Sequence, residues 1–285
     1  MEKNIYPNPK WIVGKHSLMN TRVHVSGEKT IIEPKSWRIP YQWQGYHYQD
    51  HDDQPFMLMV NSGGGYVEGD GSYFYSNLEK NSRALFTTTA SGKFYKCLKG
   101  LTSQEIVEFN VGENALLEYL PDEAIPFAHS RSRRSIRINL SKSSKLFASD
   151  MVSAGRVHYG KEIFKFHSLK SSFEIFLEGK PIGIDKVILK NPDEVSDLHR
   201  LWKGAYHSAI IFIYASEIDE KIYKKFLKSM NKIEGTQIGS SCIENLMTVR
   251  ILSNETWQAH EAIYECWKIL RPIIAKKEAR PILKC

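Results

Sequence analysis

Two imidazoles and three carboxylates fall within seven residues at His47-Tyr-Gln-Asp50-His51-Asp52-Asp53. Imidazole and carboxylate together suit divalent first-row metal ions, so His47, Asp50 and His51 form a candidate weak metal loop. The alternative is a solvated acidic loop, because the stretch lacks the fixed ligand spacing of a built site. A second group consists of single carboxylates. Glu118, Asp150, Glu162 and Asp185 stand in or beside strand-like runs, where a charge is costly unless it is paired or used. Two of them could act as the acid and base of a glycosidase. Equally, Arg156 or Lys93 could hold them as structural ion pairs.

The segment Ser62-Gly-Gly-Gly-Tyr-Val-Glu-Gly-Asp-Gly-Ser72 packs five glycines into nine residues. That density signals left-handed backbone or a close approach by another group. A phosphate loop would continue Gly65-x-x-x-Gly69 with Lys and Ser or Thr, but Asp70 follows. A dinucleotide fingerprint would need Gly where Glu68 stands. What remains is a tight turn with an acidic residue at its end. The chain has no G-x-S-x-G elbow, no H-E-x-x-H and no cysteine in a catalytic context. His129, His158, His167, His199, His207 and His260 are scattered singly. Cys97, Cys242, Cys266 and Cys285 are far apart, as ordinary thiols in a reducing compartment would be.

Lys and Arg number 39 against 32 Asp and Glu, a net charge of +7, which invites an acidic partner. The strongest cluster, Arg131, Arg133, Arg134 and Arg137, reads as a solvated strand face or loop, and no nucleic-acid-binding motif accompanies it. The start lacks the apolar run of a signal peptide. The longest wholly apolar stretch, Ala209 to Ala215, is too short to cross a bilayer. These features predict a soluble, cytoplasmic protein.

The elements that must position these residues are mostly strands. Ala84–Thr89, Glu105–Val111, Ala115–Leu120, Ser135–Leu140 and Leu146–Val152 are rich in aromatic and β-branched residues and broken by Gly, Asn and Ser. Arg134-Ser-Ile136-Arg-Ile138-Asn-Leu140 alternates as a half-buried strand does. Asn77–Ser82, Asn110–Ala115 and Asn139–Ser144 repeat one turn pattern at steps of 33 and 29 residues, and Ser168–Ser172 follows 29 later. Such a period predicts stacked, solenoid-like β structure. Near the end, Ser216-x-x-Asp219 opens an amphipathic helix to about Lys232. A second helix runs from about Glu255 to Arg271, closed by Pro272, and Leu246–Leu252 between them reads as a strand. The reading is one mainly β domain over residues 1–285, β-rich to 215, with a two-helix excursion at about 216–272.

Taken in order, five elements resemble the UreD (UreH) family of urease accessory proteins. They are Gly63-Gly64-Gly65 with Gly69-Asp70; Thr87-Thr88 with Lys93 and Tyr95; Leu117-Glu118-Tyr119-Leu120-Pro121 with Ile125 and Phe127; Asp150 with Gly155-Arg156, Glu162 and Phe164; and Asp185 before Leu189. The chain departs from the family pattern at Gly71, where Arg is frequent, at Thr89, where Gln is frequent, and by one extra residue near Lys161. The resemblance implies a non-enzymatic β scaffold that binds apo-urease and joins a UreF-type protein and the UreG GTPase in nickel delivery. It implies no tightly bound cofactor, only transient nickel. Carried over by position, Asp70, Glu118, Asp150, Glu162 and Asp185 are expected at a metal passage or interface. Gly63, Gly64, Gly65, Thr87, Thr88, Lys93 and Arg156 are expected in the supporting network. Neither membrane nor nucleic acid is an expected partner. The rival readings are a carbohydrate-active β-solenoid enzyme using the strand carboxylates and a basic nucleic-acid-binding β module.

Overall fold

Residues 14–49, 53–160, 162–190, 202–230, 233–282 and 284 are described by a computed structural model. The chain opens with a hairpin, β1 (His16–Ser26) and β2 (Lys29–Arg38), then the short β3 (Tyr41–Gln42) and β4 (His47–Tyr48), then β5 (Pro55–Asn61). Three coils follow: β6 (Gly71–Leu78), β7 (Arg83–Thr88) and β8 (Gly92–Phe94); β9 (Ser103–Val111), β10 (Leu116–Tyr119) and β11 (Ala124–Pro126); β12 (Arg131–Leu140) and β13 (Lys145–Ser153) with the small pair β14 (Gly155–Arg156) and β15 (Glu162–Ile163). The chain continues through β16 (Ser168–Leu177), β17 (Lys180–Lys190), β18 (His207–Tyr214), α1 (Glu220–Ser229), β19 (Thr236–Ile243), β20 (Leu246–Ser253) and α2 (Thr256–Ile274).

The strands stack into two facing sheets, a β-solenoid-like arrangement, as the repeat predicts. The first sheet runs β17-β16-β12-β9-β6-β1-β2 and the second β19-β20-β18-β13-β10-β7-β5-β3. The pairings among β1, β6, β9, β12 and β16, and among β5, β7, β10 and β13, are parallel. Antiparallel strands close both ends of the stack. Gly71 pairs with Gln104, Ser103 with Ser132 and Arg131 with Ser168, so successive coils advance by 33, 29 and 37 residues. The first two steps match the sequence repeat. The third does not, because Ser168–Ser172 begins β16 instead of forming a turn, the β14–β15 pair having lengthened that coil.

Turn chemistry explains the recurring asparagines. Asn77, Asn110 and Asn139 lie in register at the ends of neighbouring strands, and Asn139 Nδ2 donates to Asn110 Oδ1 at 2.8 Å. Asn81 and Asn114 sit at φ of 63° and 55°, a left-handed conformation that Asn tolerates better than most residues.

Period-2 alternation sends one face of each strand into the space between the sheets. Phe74, Phe86 and Phe109 meet there with ring centroids 5.2–5.6 Å apart, and Phe109 reaches Tyr119 at 5.1 Å. Offset and tilted rings at these distances add to the burial of their large apolar area. The other face of the second sheet packs on α2. Leu116, Phe147, Ile211 and Met247 lie against Ala262, Cys266, Trp267 and Leu270 in a second core.

Both helices form, with shifted ends. The cap of α1 is Asp219, whose carboxylate accepts from Ile222 N–H at 2.7 Å, so Ser216 is not the N-cap. Residues 231–232 lie outside the described set. In α2, Gln258 Oε1 accepts from Glu255 N–H at 3.0 Å, and Pro272 lies inside the helix instead of closing it.

Candidate functional site

One ladder of inward positions departs from the apolar interior. Ser72, Glu105, Arg134 and Ser171 are register partners along the first sheet. They point between the sheets, two residues from Phe74, Val107, Ile136 and Phe173 on the same faces. From the second sheet Asp150 meets them. Its Oδ1 and Oδ2 accept from Arg134 Nη2 and Nη1 at 2.9 and 3.1 Å. The remaining edge of the same guanidinium donates through Nε to Glu105 Oε2 at 2.7 Å. The Arg134 and Asp150 side chains are 3% and 5% exposed.

Two-pronged pairing of Arg with a carboxylate is the strong form of a charge-assisted hydrogen bond. Burial nevertheless pushes the Asp150 carboxyl above the ordinary aspartate range, against the pull of Arg134 and with help from Glu105 and Asp185. Tyr66 Oη lies 2.7 Å from Ser72 Oγ and donates to Glu105 Oε1 at 3.1 Å. Burial, then the charge of Glu105, drives the Tyr66 phenol well above its usual value, so it remains a donor.

This polar layer borders a cavity of about 100 Å3, room for a few water molecules. Its walls include Gly64, Gly65, Thr88, Lys93 and Asp122, together with Glu105 and Arg134 from within. Gly65 shapes that wall. At φ of 136°, an added Cβ would stand 2.6 Å from the Tyr95 ring and 2.7 Å from the Lys93 carbonyl. Thr87 is buried and donates to Leu120 O at 2.5 Å, while Thr88 Oγ1 accepts from Asp122 N–H at 2.8 Å. The Lys93 carbonyl accepts from Tyr66 N–H at 2.7 Å. Gly63 N–H donates to Asn61 Oδ1 at 3.1 Å, and the Gly64 carbonyl accepts from Tyr95 Oη at 3.1 Å.

The other carboxylates have separate surroundings. Asp70 accepts from Lys15 N–H at 2.7 Å and Val67 N–H at 3.0 Å, tying the glycine-rich turn to β1. Glu118, 0% exposed, points away from the solenoid interior, beneath α2. There it accepts from Trp267 Nε1 at 2.6 Å, Gln54 Nε2 at 2.5 Å and Arg271 Nε at 3.1 Å. Glu162 pairs with Arg156, as one sequence alternative had it, and that bond holds its carboxyl below the ordinary range. Arg156 also stacks on Phe127 and Tyr159. Asp185 pairs with Arg250 across the gap between β17 and β20. The structural partners are therefore Arg134, Arg271 and Arg250 for Asp150, Glu118 and Asp185, and not Arg156 or Lys93.

The metal loop expected at His47, Asp50 and His51 is described only in part, because Asp50 and His51 lie outside the described residues. The exposed His47 rests on the Phe56 ring at 4.7 Å. Asp53 pairs with Lys277 at 2.7 Å and Arg83 at 3.5 Å.

Sequence reasoning missed Glu105 and Arg134, the centre of the interior layer. The signal was present: Arg134 is in phase with Ile136, Ile138 and Leu140, and Glu105 with Val107 and Phe109. The arginine cluster is thus not one solvated face. Arg134 is inside, and Arg137 lies over the Phe176 ring at 4.1 Å.

The fold and this interior define a two-sheet β-solenoid that carries a charged layer in its core. A family model described as "UreD urease accessory protein" matches residues 16–284. The chain belongs to that family. Among proteins named urease accessory protein UreD, that of Streptococcus thermophilus strain CNRZ 1066 is 31% identical over 225 residues, covering 76% of this chain and 78% of that one. That of Lachnoclostridium phytofermentans is 26% identical over 245 residues, covering 85% and 89%. That of Dechloromonas aromatica is 26% identical over 279 residues, covering 95% and 93%. No helix among the described residues is long and apolar enough to cross a membrane.

Proposed function

We propose that this protein is a non-enzymatic scaffold in the cytoplasmic complex that delivers nickel to apo-urease, working with a UreF-type protein and the UreG GTPase. The observation that carries this reading, beside the family, is the charged row between the sheets. It starts at the cavity and passes Glu105, Arg134 and Asp150. Beyond Asp150, whose carboxyl feels the charge of Asp185, the Asp185–Arg250 pair stands at the sheet edge. Nickel is cargo here, and transit needs weak oxygen donors one after another, since a His or Cys cage would retain it. Asp150 is the carboxylate best placed for that role. Asp185 stands at the far end of the row. Asp70, Glu118 and Glu162 are engaged in a turn, a helix anchor and a loop, and we assign them to the frame around the route.

The rival readings fit less well. The basic cluster spends Arg134 inside the fold, and the interior carboxylates that face each other share one guanidinium. Deleting the gene should leave urease made, assembled and nickel-poor. Asp150→Asn, which leaves Arg134 its Glu105 partner, should keep the protein bound to urease while urease nickel content falls. Nickel-replete urease in the deletion strain at ordinary nickel supply would refute the reading. Normal loading with Asp150→Asn would remove that residue from the route.

A further inference from the structure

We propose that Asp122, Glu123 and His260 form a binding site for a divalent transition-metal ion at the outer mouth of the interior cavity. The three residues come from two distant parts of the chain. Asp122 and Glu123 lie in the loop between β10 and β11, and His260 lies on α2. Their donor atoms all fall within 4.8 Å of one another. His260 Nε2 and Glu123 Oε2 are 3.2 Å apart. Two donors each bound at about 2.1 Å to one ion stand roughly 3.0–3.4 Å apart, so this pair already has the spacing of adjacent ligands.

The carboxylates are held in place. Glu123 is buried, and its other oxygen accepts from the Ser91 hydroxyl at 2.7 Å, which aims Oε2 at the imidazole. The loop backbone is pinned on both sides, by Asp122 N–H to Thr88 Oγ1 at 2.8 Å and by Gly92 N–H to the Glu123 carbonyl at 2.8 Å. Outer partners of this kind fix ligand orientation at metal sites. The position also attracts cations: the Lys284 ammonium lies 2.5 Å from Asp122 Oδ1. An arriving ion would exchange with that ammonium, so the side chain competes with the metal.

Location gives the site its use. Asp122 lines the interior cavity and also an outer groove that includes His260 and Tyr264. One imidazole and two carboxylates favour nickel, cobalt, zinc or manganese over magnesium and calcium. Three protein ligands leave positions for water and for exchange. Its place as the step before the oxygen-only interior row rests on the delivery reading above; the binding site itself does not.

The test is calorimetric titration of nickel chloride into the untagged full chain, with magnesium as a control. One nickel ion per chain is expected, with magnesium failing to compete. His260→Ala and Glu123→Gln should each weaken nickel binding at least tenfold, and Lys284→Ala should tighten it. Thermal melts establish that each variant is folded; if Glu123→Gln is not, His260→Ala and Lys284→Ala decide. A flat isotherm at millimolar nickel, or unchanged affinity in His260→Ala, overturns the site. The delivery reading is tested apart, by the nickel content of urease in the deletion strain. A flat isotherm with nickel-poor urease there removes this site alone, whereas tight binding with nickel-replete urease keeps the site and removes its role in delivery.

Discussion

Replacing Arg134 by Met removes the guanidinium that contacts both Asp150 and Glu105 and nearly preserves side-chain volume. Asp150 then has two options inside the fold. It can remain charged without its partner, which for a broken buried pair costs about 3–5 kcal/mol. Alternatively it can take up a proton. Protonating a carboxyl whose unfolded value is about 3.9 costs about 1.4 kcal/mol per pH unit above that value, hence about 4 kcal/mol at pH 7 and about 1.5 kcal/mol at pH 5. The cheaper option sets a ceiling, so the deficit relative to the parent should be near 4 kcal/mol at pH 7 and shrink toward 1.5 at pH 5. The sign follows from linkage: the variant's folded carboxyl has a raised value, so its folded state binds the extra proton. The missing stability therefore returns as pH falls. Urea midpoints of parent and variant at the two pH values measure this. Arg134→Met combined with Asp150→Leu should remove the Asp150 share of the pH dependence and recover part of the loss, because a matched apolar replacement of a buried pair is often neutral. Glu105, which loses its Arg134 donor and keeps its Tyr66 donor, accounts for the rest. A deficit below about 1 kcal/mol at pH 7, or one equal at both pH values, would show that water entering through the cavity already solvates Asp150, and the reasoning would fail.

Other tests probe the frame. Burial holds His207 at about 4 instead of the ordinary 6.5, so the unfolded chain takes up a proton first as pH falls. Stability should drop between those values by about 3 kcal/mol from this group, and His207→Gln should flatten that part of the acid-unfolding curve. Glu118→Leu strips Arg271 and Trp267 of their shared acceptor and should cost about 3–5 kcal/mol in urea melts, with Glu118→Gln costing clearly less. Gly65→Ala drives a Cβ into the Lys93 backbone at positive φ. It should lower the melting temperature, and an unchanged melt would mean the cavity wall yields freely.

The stacked β architecture was legible because strands are short, local and alternating, and because turn residues mark each coil. Asn77, Asn110 and Asn139 announced two coil lengths correctly. Ser168 misled, since serines serve equally at turns and at strand starts. Glu118 and Asp150 were legible as costly charges in strands, but their partners were not. Arg271 lies 153 residues from Glu118 in the chain, and only the docking of α2 on the second sheet brings them together. Arg134 is 16 residues from Asp150; it was hidden by its neighbours, because a run of arginines reads as a surface unless each is assigned to a face. Pro272 shows another limit. A proline marks a helix end only as a tendency, and the packing of Ile274 beneath the second sheet carries α2 past it.

The coils advance by 33, 29 and 37 residues, yet their inward ladders stay in step. All the surplus length is therefore spent on the connections that return each coil to the first sheet, such as the stretch beyond Arg156 that carries β15. Insertions there leave every interior rung where it was. The molecule separates into a rod of constant register and, along one flank, a fringe of loops that differ in length from coil to coil. Loop length can change along that flank without moving the charged interior, as the 29- and 37-residue coils of this one chain show.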